Sequence, residues 1–309
     1  MGNVMLYVVA VLTWGSTWIA INLQLGTVAP EISVIYRYSL AVIILFAWCS
    51  WRGLSLRFSW RAHGVFFLLG VFLFSFNYIG TYSAQQYISS ALNAVTFSTM
   101  MWMNVINSRI FFKTQIEPRV YVGAALGMVG IIILFWPEIR EVSWSDSTII
   151  GMSFCLGAAA MASFGNMVSQ RAQRQQLPVL QANAWGMLYG TLITTAVALG
   201  RGHEFALDPS PQYWLALVYL AIFGTVVAFT VYLKLLGRIG AHKAGYVVVM
   251  FPVVAFTLSY IFEDLSITPT LLMGVGLILL GNVVVLGGFE KLTRRWRYKR
   301  LPTPVVANS

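Results

Sequence analysis

Long apolar runs alternate with short polar links along the whole chain. Runs of about 20 apolar residues cross a bilayer as helices, and ten such spans are predicted: 4–23, 32–50, 64–82, 91–112, 119–137, 147–168, 178–200, 212–236, 242–262 and 270–289. None shows the strict alternation of an outer-membrane strand. The predicted fold class is therefore an all-α integral membrane protein with ten transmembrane helices. The first run has no Lys or Arg before it, and Trp14–Trp18 would make a small-residue cleavage site awkward, so it is read as a span and not as a signal peptide.

The pattern repeats. With a shift of 150, Tyr82, Ala91, Ala94, Met100 and Phe112 fall on Tyr232, Ala241, Ala244, Met250 and Phe262. With one extra residue the match continues as Pro118/Pro269, Gly123/Gly274 and Gly130/Gly281. Residues 1–144 and 145–290 are thus expected to be two copies of a five-helix unit, followed by a basic tail at 291–309. Five spans is an odd number, so the second copy enters the membrane inverted. This 5+5 inverted-topology repeat is the architecture of many secondary transporters.

Within the fourth span, Asn93, Thr96, Phe97, Met100, Asn104, Asn107 and Ser108 share one helical face, with Ser98 and Trp102 on the back. Amides and hydroxyls do not face lipid without cost, so this stripe borders either a wet cavity or neighbouring helices that it hydrogen-bonds. The same arc of the ninth span reads Lys243, Tyr246, Val247, Met250, Val254 and Thr257 and is mostly apolar. Pro252 offers a kink there; its counterpart is Trp102, so only the second copy is expected to bend. Other faces combine aromatic and hydroxyl groups, as in Trp14/Thr17/Trp18 and Tyr78/Thr81/Tyr82, and Ser163 lies with Asn166, Met167 and Gln170. The fifth and tenth spans carry glycines and little polar character, which suits close packing.

Composition supports the membrane reading. Of 309 residues, 58% are hydrophobic and only 10% charged, and the mean hydropathy is +0.75. A soluble domain carries about 25% charged residues. Sixteen of the twenty Lys and Arg residues lie in the segments at the N-terminus, after even-numbered spans, and in the tail. By the positive-inside rule both termini are cytoplasmic. Arg37, Arg140 and Arg201 fall on the opposite side with eight of the ten acids, Glu31 among them. The net charge of +10 is therefore explained without nucleic acid, and the tail resembles a polybasic segment held at anionic lipid.

No Asp or Glu falls inside a predicted span and the three histidines sit at span ends, which argues against a carboxylate-centred proton relay. Cys49 and Cys155 lie in spans without partners, so neither a metal site nor a disulfide framework is indicated. Nucleophile–base constellations and phosphate-binding loops are absent, and no enzyme, catalytic residue or cofactor is expected. The remaining substrates are neutral, zwitterionic or delocalised solutes.

These features resemble the drug/metabolite transporter superfamily in its EamA branch. The likeness covers residues 4–289 and rests on Trp14-Gly15-Ser16-Thr17-Trp18, Arg37, the Tyr78/Tyr82 segment running into Ser90-Ala91, and Gly240-Ala241 through Pro252. Within that branch the chain is most similar to YddG-type exporters of aromatic amino acids. The resemblance implies export of amino acids across a bacterial inner membrane from a central cavity, by a carrier that could act as a monomer. A multidrug or quaternary-ammonium exporter, or a non-transporting membrane adaptor, are the alternatives. Candidate substrate-binding residues are Trp14, Thr17, Tyr78, Tyr82, Thr96, Met100, Asn104, Ser163, Tyr246 and Met250, with Pro252 and Trp102 as candidate gating positions.

Overall fold

The computed structural model describes residues 1–24, 28–88, 90–142, 144–251, 253–254, 257 and 268–286. The described residues are helical, with no strand among them. Proline opens the helices at Pro30, Pro118, Pro211 and Pro269, where its missing N–H costs nothing. Hydroxyls of Ser59, Ser145, Ser210 and Thr268 accept from backbone N–H groups of the first turns that follow them.

The first half begins with α1 (Asn3–Asn22) and α2 (Pro30–Trp51). Next, α3 (Trp60–Val71) passes through a π-helical segment, Phe72–Phe76, into α4 (Asn77–Gln85). Then come α5 (Ser90–Phe97), α6 (Met100–Phe112), α7 (Pro118–Leu134) and the short α8 (Trp136–Ile139). The second half holds α9 (Asp146–Arg174), α10 (Val179–Gly200) and α11 (Pro211–Tyr219). A second π-helical segment, Leu220–Val227, joins α11 to α12 (Ala228–Ile239). Two short helices follow, α13 (Ala241–Ala244) and α14 (Tyr246–Val249), and α15 (Pro269–Val285) closes the described chain.

Among the described residues four helices are by themselves long and apolar enough to cross a membrane: Glu31–Trp51, Trp60–Ala84, Asp146–Arg174 and Pro211–Ile239. Three shorter apolar helices, Asn3–Thr17, Pro118–Leu134 and Pro269–Val285, accompany them.

Helices α7 and α15 form the tightest pair. A Cβ on Gly123 would lie 2.6 Å from the Gly281 carbonyl oxygen, and one on Gly130 would lie 2.8 Å from that of Gly274. The reversed order of these partners makes the pair antiparallel. Where hydrophobicity cannot drive helices together, such backbone contact supplies the dispersion energy. Asn282 of α15 donates to Tyr7 Oη at 2.7 Å, so its amide is used within this scaffold.

One expectation changes, and two charged residues are found buried. The fourth span is not one uniform helix: it breaks between α5 and α6 at Ser98–Thr99, so the first half bends without a proline. Thr96 Oγ1 bonds back to the Leu92 carbonyl and Thr99 Oγ1 to that of Thr96, both at 2.7 Å, which bends a helix locally. Arg37, counted with the outer-side charges, lies inside α2, within the predicted span 32–50, and is 5% exposed. Glu31 likewise is buried at the start of α2, with Arg201 Nη1 at 3.6 Å and His203 Nε2 at 3.9 Å. Both residues follow Pro30 closely in sequence, and charge counting by segment cannot see that α2 carries them inward. Pro252 lies outside the described residues.

Candidate functional site

A cavity of about 240 Å³ opens where helices of both halves converge. The first half supplies Trp14 and Thr17 from α1, Arg37 from α2, and Asn77, Tyr78, Thr81 and Tyr82 from α4. Asn93, Phe97, Ser98 and Met100 come from the broken α5–α6 segment. The second half supplies Asn166 of α9, Phe229 and Tyr232 of α12, and Val248 and Phe251 beyond the α13–α14 break.

The π-helical segments place these walls. A π-turn shifts hydrogen bonding from i+4 to i+5 and occurs often at functional sites. In Leu220–Val227 the Gly224 carbonyl accepts from Trp14 Nε1 at 3.1 Å and from Arg37 Nη2 at 2.9 Å. Thr225 Oγ1 donates to the Leu220 carbonyl at 3.0 Å and accepts from Arg37 Nε at 2.7 Å. Glycine is required at 224, because a Cβ there would stand 2.8 Å from Thr17 Cγ2 and 3.1 Å from Arg37 Nη2. One irregular turn of the second half thus orients two wall residues of the first.

Trp14 is the centre of an aromatic cluster, with ring centroids 5.0 Å from Phe229, 4.9 Å from Tyr232 and 5.4 Å from Phe251. Opposite them, Asn93 Nδ2 donates to the Thr81 carbonyl at 3.2 Å and holds the α5 wall against α4. Asn166 Nδ2 donates to Asn104 Oδ1 at 3.2 Å.

Of the residues singled out by sequence, Trp14, Thr17, Tyr78, Tyr82 and Met100 stand together on the wall. Others are placed elsewhere. Thr96 is spent on its own helix, while Asn104 is fully buried against Asn166. Ser163 accepts from Asn107 Nδ2 at 2.9 Å, so this part of the stripe joins α6 to α9. Tyr246 is buried against α7, where a Cβ on Gly127 would come 3.4 Å from its hydroxyl. Met250 is half-buried among core side chains, and the Trp102 ring lies 6.4 Å from that of Tyr121 on α7.

Sequence reasoning missed Arg37, Asn77, Phe229, Tyr232 and Phe251 as wall residues. Tyr232 could have been found, since it is the repeat partner of Tyr82. Ser98 was expected on the back of its helix and instead faces the cavity, because the turn at Ser98–Thr99 alters the register.

The EamA-like transporter family model matches residues 1–136 and again 149–287. The chain belongs to that family. Among EamA relatives it is similar to an uncharacterized transporter, YoaV, of Bacillus subtilis (strain 168), 23% identical over 290 residues, which cover 91% of this chain and 96% of the relative. It is also similar to an uncharacterized inner membrane transporter, YedA, of Escherichia coli (strain K12), 28% identical over 249 residues, covering 79% and 78%. A solved crystal structure superposes with a TM-score of 0.79 at 20% identity, over 94% of this chain and 98% of that one, and shows the shared fold. The protein is a membrane transporter of the drug/metabolite transporter superfamily, acting on a small-molecule substrate in a lipid bilayer.

Proposed function

We propose that this EamA-family transporter exports aromatic or other neutral amino acids, or closely related metabolites, by alternating access. The observation that carries this reading is the cavity shared by both halves. At about 240 Å³ it lies below the about 300–1,000 Å³ of drug-sized pockets and suits a small metabolite. Its aromatic sector around Trp14 matches an apolar body, and its amide sector around Asn77, Asn93 and Asn166 matches a polar head.

The carrier is a ten-helix, 5+5 inverted repeat of residues 1–144 and 145–290, with 291–309 as a basic cytoplasmic tail. It works as a monomer in a bacterial inner membrane with both termini inside. Supporting the inversion are the antiparallel α7–α15 pair and the π-helical segment found in the third span of each half. Alternating access then rocks one five-helix unit against the other around the shared cavity. Among the described residues no Asp, Glu or His lines the cavity, which favours movement down a gradient without a carboxylate relay.

Uptake of labelled phenylalanine into proteoliposomes, with and without a pH gradient, tests the reading. Absence of uptake for every amino acid overturns the substrate claim; strict dependence on the gradient overturns only the uncoupled mechanism. The aromatic wall also suits a quaternary ammonium through cation–π contact, but the guanidinium of Arg37 on the same wall repels a cation.

A further inference from the structure

Arg37 is an unusual residue to find on this wall. It is 5% exposed, in a helix long and apolar enough to span a membrane. Two of its nitrogens are committed to the π-helical segment, Nε to Thr225 and Nη2 to the Gly224 carbonyl. Those two bonds fix the plane of the guanidinium. Among the described residues Nη1 has no hydrogen-bond partner, and no carboxylate stands within ion-pair distance of Arg37. Glu31, on the same helix, is turned instead to Arg201 and His203.

A charge held inside a membrane protein normally has a counter-charge or a function. Leaving one ion of a buried pair without its partner is costly. Here the protein supplies a fixed cation with a fork still open toward a cavity and no anion of its own. A planar anion that accepts two parallel N–H bonds fits that fork.

We propose that Arg37 is the anchor for a carboxylate, and that the substrate class of this carrier is defined by a carboxylate on an aromatic or aliphatic body. The proposal rests on the cavity's being the substrate site. A carboxylate is favoured over a phosphate dianion because Arg37 is the only Lys or Arg among the described residues that line the cavity. One cation balances one negative charge. The body then lies toward Trp14, Phe229 and Phe251. Because the guanidinium belongs to α2 and its tethers to the opposite half, a bound carboxylate sits at the seam between the halves.

The test is calorimetric binding to the full chain in nanodiscs, with transport in proteoliposomes read alongside. The probes are phenylalanine, phenylalaninamide, 3-phenylpropionate and phenyl phosphate. Phenylalanine and its amide share an ammonium and a ring and differ in the carboxylate. The expected result is that both carboxylates bind at least about tenfold more tightly than the amide, a modest return for a charge-assisted pair. Arg37→Gln abolishes that preference, and Arg37→Lys restores part of it. Equal binding of acid and amide, binding of none of the probes, or binding of phenyl phosphate alone overturns the carboxylate anchor. So does an Arg37→Gln variant that loses thermal stability while keeping the acid-over-amide ratio, since Arg37 would then only tie α2 to the π-turn. Should Arg37→Gln fail to fold, Thr225→Val, which frees Nε but keeps the charge, must retain the acid preference; its loss of that preference while folded also overturns the anchor. Carboxylate binding that depends on Arg37 without any transport upholds the anchor and overturns the exporter reading.

Discussion

The two broken helices, 90–112 in the first half and 241–251 in the second, match at a shift of 150 in sequence and do different work. The first breaks at Ser98–Thr99 through hydroxyl back-bonding and lines the cavity with Asn93, Phe97, Ser98 and Met100. The second breaks at Gly245 and again at Met250, and contributes Val248 and Phe251. At aligned positions, Asn93 stays on the wall, while Lys243 reaches Glu117 Oε1 at 2.7 Å. Two helices at corresponding places in the chain can therefore share a break while one carries the polar groups and the other a hydrophobic surface. A cavity with one wet and one dry wall suits a substrate with a head and a body.

The largest effect is expected where the second break meets the first broken helix, at α6. A Cβ at Gly245 would stand 2.8 Å from Asn104 Nδ2 and 3.3 Å from the Ala241 carbonyl. Gly245→Val should destabilise the protein by about 1–3 kcal/mol, as overpacking does, read as a lower unfolding midpoint and lower monodisperse yield in detergent. An unchanged midpoint would show that the close approach of Gly245 to Asn104 is not needed for packing.

Met100→Trp should leave the midpoint in place and cut transport about tenfold or more, because it fills the wall of a small site that must position its ligand. Asn104→Leu should do the reverse. It removes the acceptor of Asn166 away from the cavity and costs about 0.6–1.7 kcal/mol of stability, with transport per folded molecule retained. Transport lost at full stability would move Asn104 into the path.

A gentler change copies the dry wall onto the wet one. Ser98→Val installs the residue of its repeat partner Val248, and should lower uptake of tyrosine relative to phenylalanine by about two- to tenfold, the worth of one hydrogen bond. An unchanged ratio would show that the polarity of this break is not read by the substrate.

The smallest effect concerns the second break's tie to α7. Lys243, hydrogen-bonding Glu117, holds that carboxyl below the usual carboxylate range, with Arg119 beside it. A depressed folded pKa means that the tie stabilises above the unfolded carboxylate pKa and is lost as pH falls through the folded value. The pair is partly exposed, with Glu117 43% accessible, so the gain is small. Glu117→Gln should lower the midpoint slightly at neutral pH, and the difference from the parent chain should vanish at acid pH. A difference that persists in acid would rule out this pair as its cause.

Hydrophobic run length and period determined much from sequence alone: helices as the building element, membrane residence, the position of nearly every helix, and the packing role of the glycines in α7 and α15. These depend on local composition, which a bilayer reads directly. The wall residues Trp14, Tyr78 and Tyr82 were legible because aromatic and hydroxyl groups shared a helical face. Tertiary structure decided the rest. Ser98 turned inward because a broken helix changes register, and Asn104 turned to Asn166 because α9 happens to pack on that side. Arg37 counted only as one of the outer-side charges near the start of the second span, and the approach of the opposite half's π-turn shows it as a buried, tethered cation. Pairing of polar groups is set by which helices meet, and a linear pattern carries no record of its partner across the interface.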